Sequence, residues 1–156
     1  MTAVRLLSPV AGTVRPLADV PDPVFAGEMV GPGVAVQPDP VARQDVLAPC
    51  DGVVGALHPH AFALDLGADR AVLVHVGIDT VGLKGEGFEV HVEAGAHVRA
   101  GDRVLTWSPL DVAAAGLATV CPVVVLQGDP ATLTHLVPDG ARVDPGRPLL
   151  DWAPEG

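Results

Sequence analysis

The chain has 156 residues, 49% of them hydrophobic, a mean hydropathy of +0.40 and a formal charge of −10. That charge excludes a nucleic-acid partner, whose phosphates need a basic surface, and favours a partner carrying basic groups. Eighteen Gly and sixteen Pro exclude a helical bundle, and 3% aromatic content with no Tyr leaves the core to Val, Leu, Ala and Ile.

In chain order, the N-terminus lacks an apolar run followed by a cleavage site, so a cytoplasmic protein is expected. Ser8-Pro9-Val10-Ala11-Gly12-Thr13-Val14 resembles Ala48-Pro49-Cys50-Asp51-Gly52-Val53-Val54, each a tight turn opening a strand. Cys50 and Cys121 have no metal spacing and read as buried reduced thiols.

Residues 60–75 read as a β-hairpin. Phe62, Leu64 and Leu66 alternate with smaller or polar residues, and Val72, Leu73, Val74 and Val76 are strand formers. With Gly67-Ala68 as a type II′ loop, residues whose numbers add to 135 oppose one another, which sets His60 opposite His75.

Further on, residues 93–105 and 138–150 share the pattern Gly-x-x-Val-x-x-Gly-x-x-apolar-Leu. Ser108-Pro109-Leu110-Asp111 signals a helix start, with Ser at the N-cap, Pro at N1 and an acid at N3. The apolar stretch from Leu110 to Leu126 is broken by Asp111, Gly116 and Pro122, and reads as a short helix and a strand rather than a membrane span. These signals predict an all-β protein: an antiparallel sandwich or barrel with internal pseudo-repeats and one or two short helices. No linker or charge run divides it, so residues 1–156 are read as a single domain.

Chemistry gathers around His75 in the run Val72-Leu-Val-His75-Val-Gly77-Ile-Asp79-Thr80-Val81. An isolated strand histidine is commonly a satisfied core residue. Here His60 is a neighbour, Gly77 leaves backbone open beside the ring, and Asp79, Thr80 and Val81 supply N–H groups and a hydroxyl. A neutral imidazole among such donors can accept a phosphoryl group, whose charge they offset.

The run from His75 to Phe88, with His60-Ala-Phe fifteen residues upstream, resembles the glucose-type enzyme IIA domain of the bacterial sugar phosphotransferase system. Ala48-Pro49-x-Asp51-Gly52, the segment Val20 to Ala26, the Val30–Pro38 run and Pro122-Val123-Val124-Val125 carry the resemblance across Ser8 to Asp151. It implies an antiparallel β-sandwich of the duplicated hybrid-motif kind. It also implies that His75 takes a phosphoryl group from the phosphocarrier protein HPr and passes it to an enzyme IIB domain of a membrane sugar permease. His60 would hydrogen-bond that group, and Asp79 would face an arginine of HPr. Val24, Phe25 and Val30 would form an exposed apolar docking rim, with Asp22 on the loop beside it. Three positions depart from the family pattern: His58 stands where relatives usually carry Thr, and Val76 and Leu73 replace aromatics. His91, His97 and His135 match nothing in it and read as surface residues.

Three rivals are weighed. A zinc peptidase is suggested by His75-Val-Gly-Ile-Asp79 and His58-Pro59-His60, but in the cell-wall peptidases these resemble, the two motifs occur in the opposite order. No cofactor is expected, although zinc at the His60 and His75 pair, as a regulatory or adventitious ligand, stays open. A lipoyl or biotinyl carrier needs a turn lysine beside small or Met residues, and Lys84, the sole lysine, has no Met next to it. A purely regulatory binding protein is disfavoured because both histidines are present.

Overall fold

Short β-branched runs separated by Gly and Pro turns form strands of two to seven residues. The computed structural model describes residues 3–154. Its strands are β1 (Val4–Leu7), β2 (Gly12–Arg15), β3 (Gly33–Pro38), β4 (Gln44–Leu47), β5 (Gly52–His58), β6 (Ala61–Gly67) and β7 (Arg70–His75). They continue as β8 (Phe88–Val90), β9 (His97–Val98), β10 (Arg103–Trp107), β11 (Cys121–Val125), β12 (Leu133–His135), β13 (Arg142–Val143) and β14 (Pro148–Trp152). Two short helices, α1 (Pro23–Ala26) and α2 (Pro109–Ala114), and 3-10 turns at Leu17–Asp19, Thr80–Leu83 and Pro130–Thr132 complete the set. The predicted helix is α2: Ser108 accepts a hydrogen bond from the Asp111 N–H at 3.1 Å, with Pro109 at N1. Among the described residues no helix is long and apolar enough to cross a membrane.

The strands pair antiparallel in three open sheets: β13-β2-β3-β11-β7-β6-β5-β9, β1-β14-β12 and β4-β10-β8. Each has two distinct ends, so the sandwich alternative holds and a closed barrel does not. Alternation along the large sheet decides what lies beneath it. Val34, Val123, Val74 and Phe62 align across four strands and are at most 2% exposed, facing a core that includes Leu6, Leu105, Trp107 and Trp152. Their chain neighbours face the other way. The connection between β2 and β3 folds over that outer face and buries a smaller apolar cluster of Leu17, Val20, Phe25, Ala35, Ile78, Val120 and Val124.

The pseudo-repeats have a structural counterpart. The Leu7 N–H donates to the Pro49 carbonyl, and the Leu47 N–H to that of Pro9. Ser8 is bracketed by Arg147 and Gly146 through the same two backbone bonds that bracket Ala48 by Asp102 and Gly101. Val14 exchanges bonds with Ala141 and Gly140, as Val54 does with Ala96 and Gly95. Gly12 accordingly pairs with Val143 and Gly52 with Val98, and the β1–β14 and β4–β10 ladders carry matching register shifts. One difference between the halves bears on the histidines: residues 16–32 join β2 to β3, whereas only Pro59 and His60 join β5 to β6.

The expected register of the 60–75 hairpin is corrected. Its loop is Ala68-Asp69, with φ of 54° and 60°, instead of Gly67-Ala68. Asp65 accepts a hydrogen bond from the Gly67 N–H at 2.8 Å, and the ladder shifts between these residues, leaving Leu66 as an extra residue. Ala61, not His60, therefore opposes His75.

Candidate active site

His60 still reaches His75, by a different route. It is the second residue of the β5–β6 loop, and its carbonyl continues the ladder by accepting from the Val76 N–H at 2.7 Å. The two imidazoles lie edge to face, with centroids 5.3 Å apart and planes at 70°. Phe25, on α1, also packs against His75, with centroids 5.2 Å apart. Asp22 caps α1 by accepting from the Val24 N–H at 2.9 Å, which fixes how that short helix approaches the ring.

Backbone geometry sets the chemistry of His75. Its Nδ1 lies 2.5 Å from the Gly77 carbonyl. A carbonyl only accepts, so Nδ1 carries the proton and the neutral ring presents its lone pair at Nε2. Gly77 has φ of 74°, in the left-handed region, and this turns its carbonyl back toward the ring. Burial lowers the His75 pKa, against the opposing pull of the Gly77 carbonyl and the carboxylates of Asp22 and Asp79. Burial also lowers that of His60, followed by the like charges of His75 and His58. Both rings are thus biased toward the neutral form, which a nucleophile requires. The Cys121 thiol donates to the Thr119 carbonyl at 3.3 Å, and burial pushes it up to about 12. The Cys50 thiol is likewise pushed up to about 12, so both cysteines fit the inert reading.

The other expected residues divide. Asp79 is exposed at the start of a 3-10 turn with φ of 60°, and Val81 is 65% exposed. The first N–H groups of such a turn have no acceptor within it. Thr80 is a correction: it is fully buried and its hydroxyl donates to the Val76 carbonyl at 2.8 Å, so it holds the turn instead of facing a ligand. Phe25 is a second correction, because at 7% exposure it forms the wall behind His75 and not an exposed rim. Val24, at 43%, is exposed as expected, and Val30 is half-buried against the outer cluster. Met29, at 74%, extends this apolar edge, which the sequence reading missed. Of the two replaced aromatics, Leu73 is half-buried on the outer cluster, but Val76 is fully buried in the inner core. His97 and His135 are exposed as expected, while His91 is half-buried with Nε2 2.7 Å from the Thr106 hydroxyl. That hydroxyl donates to Asp45, so it accepts from His91.

Among the described residues no cluster of three or more His, Cys, Asp or Glu is placed to hold a metal ion. The ligand set that the peptidase reading needs is therefore not assembled, and His60 and His75 remain a two-ring pair. A cleft of about 1060 Å³, lined by Arg5, Asp51, Arg70 and His97 among others, touches neither ring. The histidine pair lies outside that cleft, half-buried at the surface, a geometry suited to a reactive group on another macromolecule.

A β-sandwich bearing such a pair defines a class, and residues 4–131 match the profile of one family, described as phosphoenolpyruvate-dependent sugar phosphotransferase system, EIIA 1. The chain belongs to that family. It is 35% identical over 128 residues to a glucose-specific EIIA component of Oceanobacillus iheyensis and 38% identical to one of Bacillus cereus, covering 81% of this chain and 76% of each relative. It is 43% identical over 124 residues to a glucose-specific EIIBCA component of Corynebacterium glutamicum, covering 78% of this chain. The chain spans about a fifth (18%) of that longer relative. In structure it is similar to the glucose permease IIA of Mycoplasma capricolum, with a TM-score of 0.85, 29% identity and coverage of 97% and 96% of the two chains.

Proposed function

We propose that this chain is a single cytoplasmic phosphocarrier domain that accepts a phosphoryl group from phospho-HPr on Nε2 of His75 and passes it to an enzyme IIB domain. The observation that carries the reading is the bond between His75 Nδ1 and the Gly77 carbonyl, which leaves the lone pair of a neutral ring at Nε2. That lone pair forms the new P–N bond as the bond from phosphorus to the donor breaks. Nδ1 keeps its proton on Gly77 throughout, so no proton need leave the ring. The product charge is met by an N–H of His60 and by the turn amides of Asp79 and Val81. Collapse of the same P–N bond delivers the group to the IIB acceptor.

The arrangement of the face supports carrier chemistry. Val24 and Val81 offer exposed apolar contact, Val30 and Phe25 back it, and Asp22 and Asp79 supply negative charge for a basic partner. A transient relay needs only a small interface, on the order of 1,200 Å² or less. No cofactor takes part. Zinc held between His60 and His75 would occupy the attacking nitrogen and compete with the phosphoryl group. The test is incubation with enzyme I, HPr and phosphoenolpyruvate, followed by mapping of acid-labile phosphate. The label is expected on His75 and absent from His75→Gln, and phosphate retained at normal stoichiometry in that variant would overturn the assignment.

A further inference from the structure

His58 stands outside the pair assigned to transfer, yet the fold brings it into the same row of rings. The β5–β6 hairpin pairs His58 with Ala61, and Ala61 pairs with His75. The three side chains therefore project from one face of the large sheet. His60, on the loop at the end of that row, lies between the other two imidazoles. Its centroid is 5.6 Å from His58 with planes at 28°, and 5.3 Å from His75 with planes at 70°. One neighbour is thus stacked on its face and the other meets it edge on.

The loop is supported from behind. Pro59 occupies its first position, and Gly85, between Lys84 and Glu86, packs against it so closely that a Cβ there would lie 3.2 Å from Pro59 Cγ. A threonine at position 58, usual in the family pattern, offers a hydroxyl whose hydrogen bond to an imidazole occupies one ring nitrogen. A stacked imidazole restrains the ring through its face and leaves both nitrogens free.

We propose that His58 is a positioning residue: stacked on His60, it holds that ring edge-on to His75 and leaves both His60 nitrogens available at the phosphoryl site. The role in transfer rests on the phosphocarrier reading, whereas the positioning itself does not. Like charge on His58 also helps lower the His60 pKa, after burial and His75, so the stack favours an uncharged His60. The charged groups acting on His75 from the neighbouring elements are Asp22 and Asp79.

The experiment compares His58→Ala and His58→Phe in the full chain. Nitrogen-15 spectra report the orientation and tautomer of the unphosphorylated His60 ring, and rapid-quench assays report capture from phospho-HPr and transfer to IIB separately. His58→Ala is expected to give averaged His60 signals and transfer to IIB about two- to tenfold slower, the range set by one aromatic pair. His58→Phe keeps a stacking face without a titrating group, and should restore the His60 signals and recover most of the lost rate. Unchanged His60 signals in His58→Ala, or His58→Phe as slow as His58→Ala, would overturn the proposal. Absence of capture by the unmutated chain would count against the phosphocarrier reading instead, and the spectra would still decide the positioning.

Discussion

Gly77→Ala concentrates the demands of this site on one methyl group. At Gly77 the backbone has φ of 74°, and a Cβ would lie 2.6 Å from Thr80 Cγ2 and 3.1 Å from the Ala118 carbonyl oxygen. The left-handed conformation costs an L-residue about 1–2 kcal/mol, and overpacking adds about 1–3 kcal/mol. Their combination, about 2–5 kcal/mol, corresponds to a fall in Tm of about 4–20 °C at roughly 2–4 °C per kcal/mol for a chain of this size. Relief of the clash requires movement of the peptide whose carbonyl holds His75 Nδ1. Losing a net hydrogen bond of about 0.5–1.5 kcal/mol lets the other tautomer compete and slows capture of the phosphoryl group about two- to tenfold. Scanning calorimetry measures the first effect and rapid-quench phosphorylation by phospho-HPr the second. Thr80→Ser removes Cγ2 but keeps the hydroxyl that donates to Val76, so the double variant should regain about 1–2 kcal/mol of the loss. A Gly77→Ala protein with unaltered Tm and capture rate would refute the account of this turn.

His60→Gln should still capture phosphate from HPr but deliver it slowly to IIB, since a misplaced donor hurts the transition state more than the ground state; single-turnover assays of each step check this, and a block at capture would reverse the assigned roles. Asp79→Ala should weaken HPr binding more at low than at high ionic strength and leave zinc affinity nearly unchanged, as read by calorimetry. Stripping of zinc with intact HPr binding would make Asp79 a ligand and not a docking residue. Because the folded state lowers the pKa of both His60 and His75, the unfolded chain binds more protons once pH falls below the ordinary histidine value of 6.5. Stability should therefore be level above that pH and decline below it, until the lowered folded values are passed. The unfolding midpoint of a His60→Gln/His75→Gln double variant should lose this histidine-linked decline; an undiminished slope would sink the assignment.

Much of this site is written in local sequence. The chemistry of His75 follows from Gly77 and Asp79 at fixed offsets on the same strand end, and the repeats around Gly12 and Gly52 prefigure paired hydrogen bonds that the fold makes twice. The opposed placement of the histidines failed because it assumed the hairpin loop. Ala68 gives no sign that it will adopt φ of 54°, and the extra residue at Leu66 depends on where the Asp65 carboxylate turns. Phe25 was misjudged for a different reason: whether an aromatic in a long connection faces solvent depends on which sheet face that connection covers. The Thr80 hydroxyl was claimed for a ligand when the nearer demand was the carbonyl of Val76, four residues back at the start of the same turn.

The β1–β14 ladder bears on how the molecule comes together in time. Val4 pairs with Trp152, so β1 must wait for the distant β14 before its hydrogen bonds can close. The equivalent β4–β10 ladder and the β6–β7 hairpin can form from shorter stretches of chain. Loop-closure entropy makes distant strand pairing slow. A ribosome-bound chain can thus assemble β7 with His75 and the loop that carries His60 while β1 still exposes an unpaired edge. The reactive face would mature early, and β1 would be protected only once β14 had emerged.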